Sequence, residues 1–471
     1  MANGTSRLRD EFHGADFADF RLTQRLSKIV DALSEAPEKS FPKVFGDGAA
    51  LEAVYRFFGN KKVTPDRILA PHVAATLERC GTRRVIVAHD TTVVSYRAEG
   101  KRVGLGAHRD SQHFRLHVSL AVLADDAREP LGVLSAEPFI FEGKGGDGSR
   151  IRRWFDQADL VENLDGRKAE FVHVMDREAD DYRTLVDMSQ RLHRFVIRCR
   201  ADRILAVTPR EVPGNISEAI ARAPLSAIRE VPITVRKKSD LPNPKRKTHP
   251  PRNARLATLE ISAMEMELQR PTLQFDREQL PDACPINIVR VWERSPPDGE
   301  TPVEWLLYTN EPIETEDEVL AVVDAYRARW RIEELFKALK TGCALEQRQL
   351  ESLETLTNAA ATLLPIAWRL LHLRSKTSDD PRALASTVLD ADEIAVLRAS
   401  ARKPLPPKLT RRDALLAIAA LGGHLKRNGE PGWQTLGEGL QKLQTLVEGY
   451  RLARPSRRRA NPGAKSIRDQ S

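Results

Sequence analysis

The sequence predicts a mixed α/β fold in which a β-rich insertion interrupts the core and helical regions flank it on both sides. Three observations support this class. Strand-like apolar runs alternate with helical segments between about residues 83 and 202. Further strand-like runs, separated by proline-rich loops, occupy about 203–310, and helical periodicity dominates both ends of the chain. With 471 residues, the chain is long enough for two to four domains and a sizeable core.

The N-terminal region reads as three helices, expected at about 16–35, 48–58 and 65–79. Apolar residues of the first helix fall mostly on one side, whereas Arg21, Arg25 and Lys28 fall on the other. Three short helices with exposed cations are consistent with a DNA-binding unit. An ordinary helical subdomain explains the same pattern, and from these residues alone it is slightly favoured.

The central region is predicted from its apolar periodicity. Strands are expected at 83–96, 114–123, 129–141 and 194–202, with one more that ends at Asp176. Helices are expected at 149–164, directly after Asp176, from Tyr326 to Gly342, and over most of the chain from there to about Ala453.

Charge and cysteine usage limit the class of protein. The net charge of +8 permits a polyanionic partner, and cations cluster at 236–255, at 402–412 and in the tail beyond Arg451. The four cysteines are far apart in the sequence and show no paired spacing. We therefore expect no disulfide framework and no zinc site, which fits a reducing cytosol. No apolar run reaches about 18 residues and the N-terminus lacks a signal-peptide pattern. We therefore expect a soluble, cytoplasmic protein that is not bound to a membrane.

Two aspartates, one within a predicted strand and one at the end of another, are candidate site residues. Asp90 lies within the apolar run VIVAHDTTVV, where a buried carboxylate without a partner costs several kcal/mol; a strand edge or turn is the alternative. Asp176 ends a strand where a helix begins, and a helix N-cap is the stronger interpretation when this residue is taken alone. Strand ends are also where α/β sheets commonly place catalytic groups.

A third carboxylate, Glu333, lies within the segment YRARWRIEELFKALKTG. At about 100° per residue, one line of this helix covers an arc of roughly 80°, and it holds Tyr326, Arg329, Glu333, Lys337 and Lys340. A solvated ladder of ion pairs explains such a line as well as a functional site does. If Asp90, Asp176 and Glu333 meet, their oxygens suit two Mg²⁺ ions, or Mn²⁺ in their place, and the cations beside Glu333 would hold DNA phosphates.

The segments HDTTVVSY and DREADDY, and the pattern Tyr326-x2-Arg329-x3-Glu333-x6-Lys340, resemble the three catalytic blocks of bacterial DDE transposases. The similarity is to the insertion-sequence-four family, and within it to the Tn-five transposon branch. AVYRFFGN near the N-terminus and GEPGWQTLGEGLQKLQTLVEGYRLA near the C-terminus also resemble that family. One departure is His89, which precedes Asp90 where an acidic or small residue is expected.

This resemblance implies an RNase H-like core and a cut-and-paste transposase that works on double-stranded DNA as a homodimer, with Mg²⁺. Its steps would be nicking, hairpin formation, hairpin opening and strand transfer. We expect a helical DNA-end-binding domain at 1–75, a catalytic domain at 76–375 with its insertion at about 203–312, a helical dimerisation domain at 376–455 and a basic disordered tail at 456–471.

The resemblance also assigns roles to residues. It implies that Asp90, Asp176 and Glu333 hold the metal. It implies that DNA is bound by Tyr326, Arg329, Lys337, Lys340, Arg198 and Trp305, with Trp305 stacking on a flipped base. It also implies a DNA contact by Arg348, which lies beside the position where a further cation is expected. For Trp305, a core aromatic residue in a strand is the alternative.

Two other functions remain open at this point. A catalytically inert DNA-binding derivative, such as a transposition inhibitor or a domesticated protein, would keep the fold, but the intact carboxylates argue against it. A two-carboxylate enzyme such as a glycosidase would not need the cations around Glu333.

The C-terminal region carries an apolar helical face that must be buried. It consists of Trp433, Leu436, Leu440, Leu443 and Leu446. The resemblance favours a dimer contact for this face, and packing onto the protein's own core is the alternative.

Overall fold

The computed structural model describes most of the chain. The described residues are 8–35, 39–97, 102–108, 110–125, 127–140, 149–164, 166–206, 214–233, 252–272, 279–401, 403–425 and 429–453. The predicted tail at 456–471 and most of the basic stretch at 236–255 lie outside them.

A ten-stranded mixed sheet forms the centre of the molecule. Its strands are β1 Arg84–Arg97, β2 Gly106–His108, β3 Ser111–Leu123, β4 Pro130–Phe139, β5 Glu170–Met175, β6 Arg194–Arg198, β7 Leu225–Ile233, β8 Arg255–Gln269, β9 Ala283–Trp292 and β10 Glu304–Thr309. The order across the sheet is β2-β3-β1-β5-β6-β10-β9-β8-β7, and β4 also pairs with β3. The predicted mixed α/β class is confirmed.

The central strands β1, β5 and β6 run parallel, and β3 is antiparallel to β1. β5 is buried along all but its first residue, because helices cover both faces of the sheet there. The pairing of β1 with β5 extends from Arg84 opposite Glu170 to Ala88 opposite Val174, and then stops. Asp90 and Asp176 therefore lie just beyond the end of this ladder.

The β-rich insertion extends the same sheet. β10 pairs antiparallel with β6, Leu307 lying opposite Arg198, and the strands β9, β8 and β7 follow in turn. These pairings join segments distant in the sequence, so apolar periodicity predicts the strands without predicting that they continue the core.

Helices pack around the sheet. They are α1 Phe20–Glu35, α2 Phe41–Phe45, α3 Gly48–Phe58, α4 Pro65–Cys80, α5 Ser149–Glu162, α6 Tyr182–Gln190, α7 Ile216–Ile220, α8 Glu316–Ala328, α9 Trp330–Lys337, α10 Leu353–Asp379, α11 Ala391–Ser400, α12 Arg411–Leu421 and α13 Trp433–Ala453. Capping boxes begin several of them; at α8, for example, Thr315 and Glu318 cap each other's backbone N–H.

The single helix expected from Tyr326 to Gly342 is divided into three parts. It breaks at Arg329 between α8 and α9, and a π-helical turn, Ala338–Gly342, follows α9. No glycine or proline stands at Arg329, so the break was not predictable from helix propensity. Single π-turns within helices are frequent at functional sites.

The apolar face of α13 is buried within its own chain. Leu436, Leu440 and Leu443 are buried as α13 packs on α12, α11 and the π-turn. The dimer contact expected from this face is therefore wrong for these three leucines, and the alternative of packing onto the protein's own core is correct. Leu446 is different, because 45% of it is exposed.

Glycine permits the close approach of α12 and α13. A Cβ atom added to Gly439 would lie 1.9 Å from the carbonyl oxygen of Ile418, and one added to Gly422 would lie 2.0 Å from that of Thr435. Only residues without a side chain allow the two backbones to meet in this way. Among the helices in the described ranges, none has the length and apolar character needed to cross a membrane.

Candidate active site

Asp90 lies inside β1, where it is paired with Val118 of β3. Its Oδ1 accepts a hydrogen bond of 2.7 Å from the backbone N–H of Thr91, and its Oδ2 accepts one of 2.8 Å from Arg329. Burial raises the pKa of Asp90 to about 6 although Arg329 opposes the shift. Asp90 is therefore a strand-interior residue rather than a turn residue, and its carboxylate is held beside a cation.

Asp176 follows β5 directly and caps a single 3₁₀ turn, Arg177–Ala179. Its Oδ1 accepts a hydrogen bond of 2.8 Å from the backbone N–H of Glu178. The capping interpretation is thus correct, but it leaves Oδ2 for another role. Burial also raises the pKa of Asp176.

Glu333 lies in the first turn of α9, and Arg329 joins it to Asp90. The guanidinium of Arg329 donates to Glu333 Oε1 at 2.9 Å and to Asp90 Oδ2 at 2.8 Å. Asp176 lies near enough to help raise the pKa of both Asp90 and Glu333, although burial is the larger cause for each. Three carboxylates from β1, the end of β5 and α9 thus surround one arginine.

The chemistry of this group of donors fits a divalent cation. All three carboxylates have raised pKa values because burial is only partly offset by Arg329. A further positive charge would stabilise their ionised forms, and carboxylate oxygens are the ligands that Mg²⁺ and Mn²⁺ prefer. Within the described residues, no three acidic, histidine or cysteine side chains are already close enough to form a metal site.

Tyr326 and Trp305 pack against each other beside this group. Tyr326 is buried, and its ring lies 5.4 Å from that of Trp305 in an edge-to-face arrangement. Trp305 is half-buried against the core, so the alternative of a core aromatic residue describes its present environment. Arg198, at the end of β6, donates to the backbone carbonyl of Glu304 at 3.2 Å and is near enough to Asp176 to lower its pKa.

Lys337 and Lys340 lie on the outer side of the same helical segment. Lys340 donates to the backbone carbonyl of Val93 and lies 3.5 Å from Glu346. Both lysines can therefore reach a polyanion that approaches the carboxylates, although Lys340 would have to leave its present contacts.

Arg348 does not lie on a binding surface. Only 1% of it is exposed, and its guanidinium donates to the backbone carbonyls of Lys39 and Cys343. The predicted DNA contact by Arg348 is contradicted, because its cationic group is used inside the protein to join the N-terminal region to the segment after α9.

One exposed aromatic residue at the site was missed in the sequence. Trp330 begins α9 with 54% of its surface exposed, and the Lys337 Nζ lies 5.3 Å from the centre of its ring. The signal available in the sequence was the spacing of seven residues between Trp330 and Lys337, which places both side chains on the same cationic side of a helix. Exposed aromatic rings beside cations are typical platforms for nucleic-acid bases.

Three family models match the chain. The Transposase DNA-binding model matches residues 5–63, the Transposase DDE domain model matches 153–368, and the Transposase Tn5 dimerisation domain model matches 365–459. Asp176 and Glu333 fall inside the match to the DDE domain, and Asp90 precedes it.

Proposed function

Because the chain belongs to the Tn5-like DDE transposases, we propose that it moves a DNA segment by cut and paste. In this proposal it binds the inverted repeats at both ends of the segment and nicks the DNA. It then forms a hairpin on the transposon end, reopens it, and joins the free 3′ hydroxyl to target DNA. The match to the DDE domain indicates metal-dependent cleavage of phosphodiesters; the individual steps and the choice of Mg²⁺ belong to the proposal.

One observation supports the proposal most directly: Asp90, Asp176 and Glu333 come from three separate elements and surround Arg329. A solvated ladder of ion pairs on one helix would not require half-buried carboxylates from β1 and from the end of β5. The three carboxylates would hold two Mg²⁺ ions, or Mn²⁺ in their place. Such ions activate an attacking oxygen and stabilise the leaving oxygen of a phosphodiester.

The protein's own residues would bind and orient the DNA. Lys337, Lys340 and Arg198 would contact phosphates near the cleaved end, and Arg329 would add a further positive charge beside the carboxylates. Tyr326 would hold the segment in place through its contact with Trp305. Two tryptophans, Trp305 and Trp330, are the candidates for stacking on a flipped base.

The N-terminal region offers a separate surface for the DNA ends. Arg21 and Arg25 of α1 and Arg56 of α3 line one cavity together with Asn60. Cations grouped in a concave surface suit the phosphate backbone, and this cavity lies within residues 5–63, which match the DNA-binding model. The C-terminal region would pair two copies, so that both ends are held before either is cut.

The proposal is tested by replacing each carboxylate separately. We expect Asp90→Ala, Asp176→Ala and Glu333→Ala to abolish Mg²⁺-dependent nicking of DNA that carries the terminal repeat, because each removes a metal ligand. Binding of the same DNA, measured by gel mobility, should remain. Full nicking by any one variant would remove that residue from the proposed metal site. Thermal unfolding would show whether a variant that loses DNA binding has also lost its fold.

A further inference from the structure

The residue that departs from the family pattern, His89, belongs to a row of buried side chains that crosses the sheet. Ser135 of β4, Ser119 of β3, His89 of β1 and His173 of β5 lie side by side. The Oγ atoms of the two serines are 2.7 Å apart, and Ser119 Oγ lies 3.0 Å from His89 Nδ1. His89 Nε2 then lies 2.8 Å from His173 Nδ1.

The row ends on helix α5. His173 Nε2 lies 3.1 Å from Glu162 Oε1, and Glu162 also pairs with Arg167. His89, His173 and Ser119 are completely buried. A neutral imidazole carries one N–H, so each ring can donate through one nitrogen and accept through the other.

The direction of these hydrogen bonds follows from their end point. A carboxylate can only accept, so the His173 Nε2–H donates to Glu162, and the His173 Nδ1 must accept from the His89 Nε2–H. The His89 Nδ1 then accepts from the Ser119 hydroxyl. Every ring nitrogen in the row is used, and each imidazole has one defined tautomer.

His89 and His173 lie close in the sequence to Asp90 and Asp176, so their contact bears on the position of the two aspartates. The backbone ladder between β1 and β5 ends at Ala88 and Val174, while β1 remains paired with β3 up to Arg97. At Asp90 and Asp176, therefore, no ladder hydrogen bond fixes the distance between the two strands. On β1, His89 stands one residue past the last ladder pair, and its ring reaches back to His173, which the ladder pairs with Val87. Because successive residues of a strand face opposite sides, this contact lies on the face opposite Asp90.

We propose that His89 is a positioning residue: its bond to His173 holds β1 against β5 beyond the last ladder pair, and so fixes where Asp90 stands relative to Asp176. This inference rests on the proposed function, because it takes the two aspartates to be metal ligands. Residues that orient ligands in this way typically change metal affinity about 10–100-fold when they are replaced.

Two substitutions distinguish positioning from general packing. His89→Gln places an amide N–H near the position of the lost Nε2–H, so it retains the bond to His173. His89→Asn places its amide near the position of Nδ1, so it retains only the contact with Ser119. Both side chains are polar and uncharged, but Asn is one methylene group shorter than Gln, so the melting temperature of each variant is compared as well.

Mn²⁺ binding to the DNA-free protein, measured from the free-ion signal in electron paramagnetic resonance, provides the test. We expect His89→Asn to weaken Mn²⁺ binding about 10–100-fold and His89→Gln to keep most of the affinity. His72→Asn is the control, since this fully buried histidine bonds to Glu11 and to the backbone N–H of Val133, away from β1 and β5. It should lower thermal stability and leave Mn²⁺ affinity unchanged.

The outcomes separate this inference from the function on which it rests. If Asp90→Ala and Asp176→Ala leave Mn²⁺ binding unchanged, the proposed metal site is wrong, and the role of His89 is wrong with it. If those variants lose Mn²⁺ while His89→Asn and His89→Gln bind it equally well, only the positioning role is overturned. Loss of affinity in Asn but not in Gln, with similar melting temperatures, supports it.

Discussion

Arg329 shows how a single residue can satisfy two interpretations of one sequence pattern. The line of Tyr326, Arg329, Glu333 and Lys337 predicted either a ladder of ion pairs or a phosphate-binding face. The structure has the i, i+4 pair between Arg329 and Glu333, and the same guanidinium also reaches Asp90 on a distant strand. A surface ladder contributes little, whereas a buried cation among carboxylates offsets a large desolvation cost. Arg329 thus supplies the positive charge that Asp90 and Glu333 share in this structure.

The two tryptophans near Glu333 lead to a prediction at the same scale. Trp330→Ala should weaken binding of a cleaved DNA end by about 1–3 kcal/mol, because an exposed ring would lose its stacking on a base, and should change stability by less than about 0.5 kcal/mol. Trp305→Ala should lower stability by about 2 kcal/mol or more, because the ring packs on Tyr326 and the core. Fluorescence titration with a labelled end and thermal unfolding measure the two effects. The reverse pattern would assign the stacking role to Trp305, as the resemblance implied.

At the scale of elements, local pattern and long-range pairing differ in how well the sequence predicts them. β1, β3 and β4 lie close to their predicted positions because alternating and continuous apolar runs are local signals. The break at Arg329 has no local signal, since strong helix formers surround it, and the tertiary contact with Asp90 decides it. The resemblance in motif spacing singled out three carboxylates that the structure brings around Arg329. The burial of Arg348 depends on contact with residue 39, which spacing cannot reveal.

The turn between β3 and β4 is fixed to α10 by one carboxylate. Glu129 is bonded by His372 Nε2 at 3.0 Å and by Lys376. Burial opposes the ionisation of Glu129, but these two partners outweigh it and lower the pKa to about 2. Burial also lowers the pKa of His372, so Lys376 supplies the positive charge above neutrality.

A pH dependence follows from the direction of this shift. Because the pKa of Glu129 is lower in the folded protein than its ordinary 4.5, its contribution is fully present above about pH 4.5 and is lost as the pH falls towards 2. Glu129→Gln should cost up to about 3 kcal/mol at pH 7, and roughly half of that at pH 3. Chemical unfolding at both pH values measures this, with the exposed Glu52→Gln as control. A cost that did not change with pH would show that packing, rather than charge, is lost.

At the scale of the whole molecule, hydrophobic periodicity predicted that α13 is buried without predicting what covers it. Leu436 and Leu443 are in the core of the same chain, each stabilising it by about 1.5–3 kcal/mol. α13 also lies against the π-turn after α9, where a Cβ atom on Gly437 would be 3.0 Å from the carbonyl oxygen of Gly342. The region that matches the dimerisation model therefore touches the segment that follows Glu333. Within one chain, the packing of this region is thus linked to the segment that follows Glu333.

The surface that pairs two copies must be sought among residues that the chain leaves exposed. Leu446 lies on α13 within the match to the dimerisation model, and 45% of it is exposed. Leu446→Glu should leave stability within about 0.5 kcal/mol, since little packing is lost. It should reduce complexes that hold two DNA ends by tenfold or more, because a charge placed in an apolar contact between subunits carries a desolvation cost. Gel mobility with end DNA resolves single-end from paired-end complexes.

Thr445→Glu, with the same charge on a neighbouring exposed position, is the control. If paired-end complexes form equally well in both variants, the contact lies elsewhere in residues 365–459. If both variants lose them alike, added charge rather than the loss of an apolar contact is the cause.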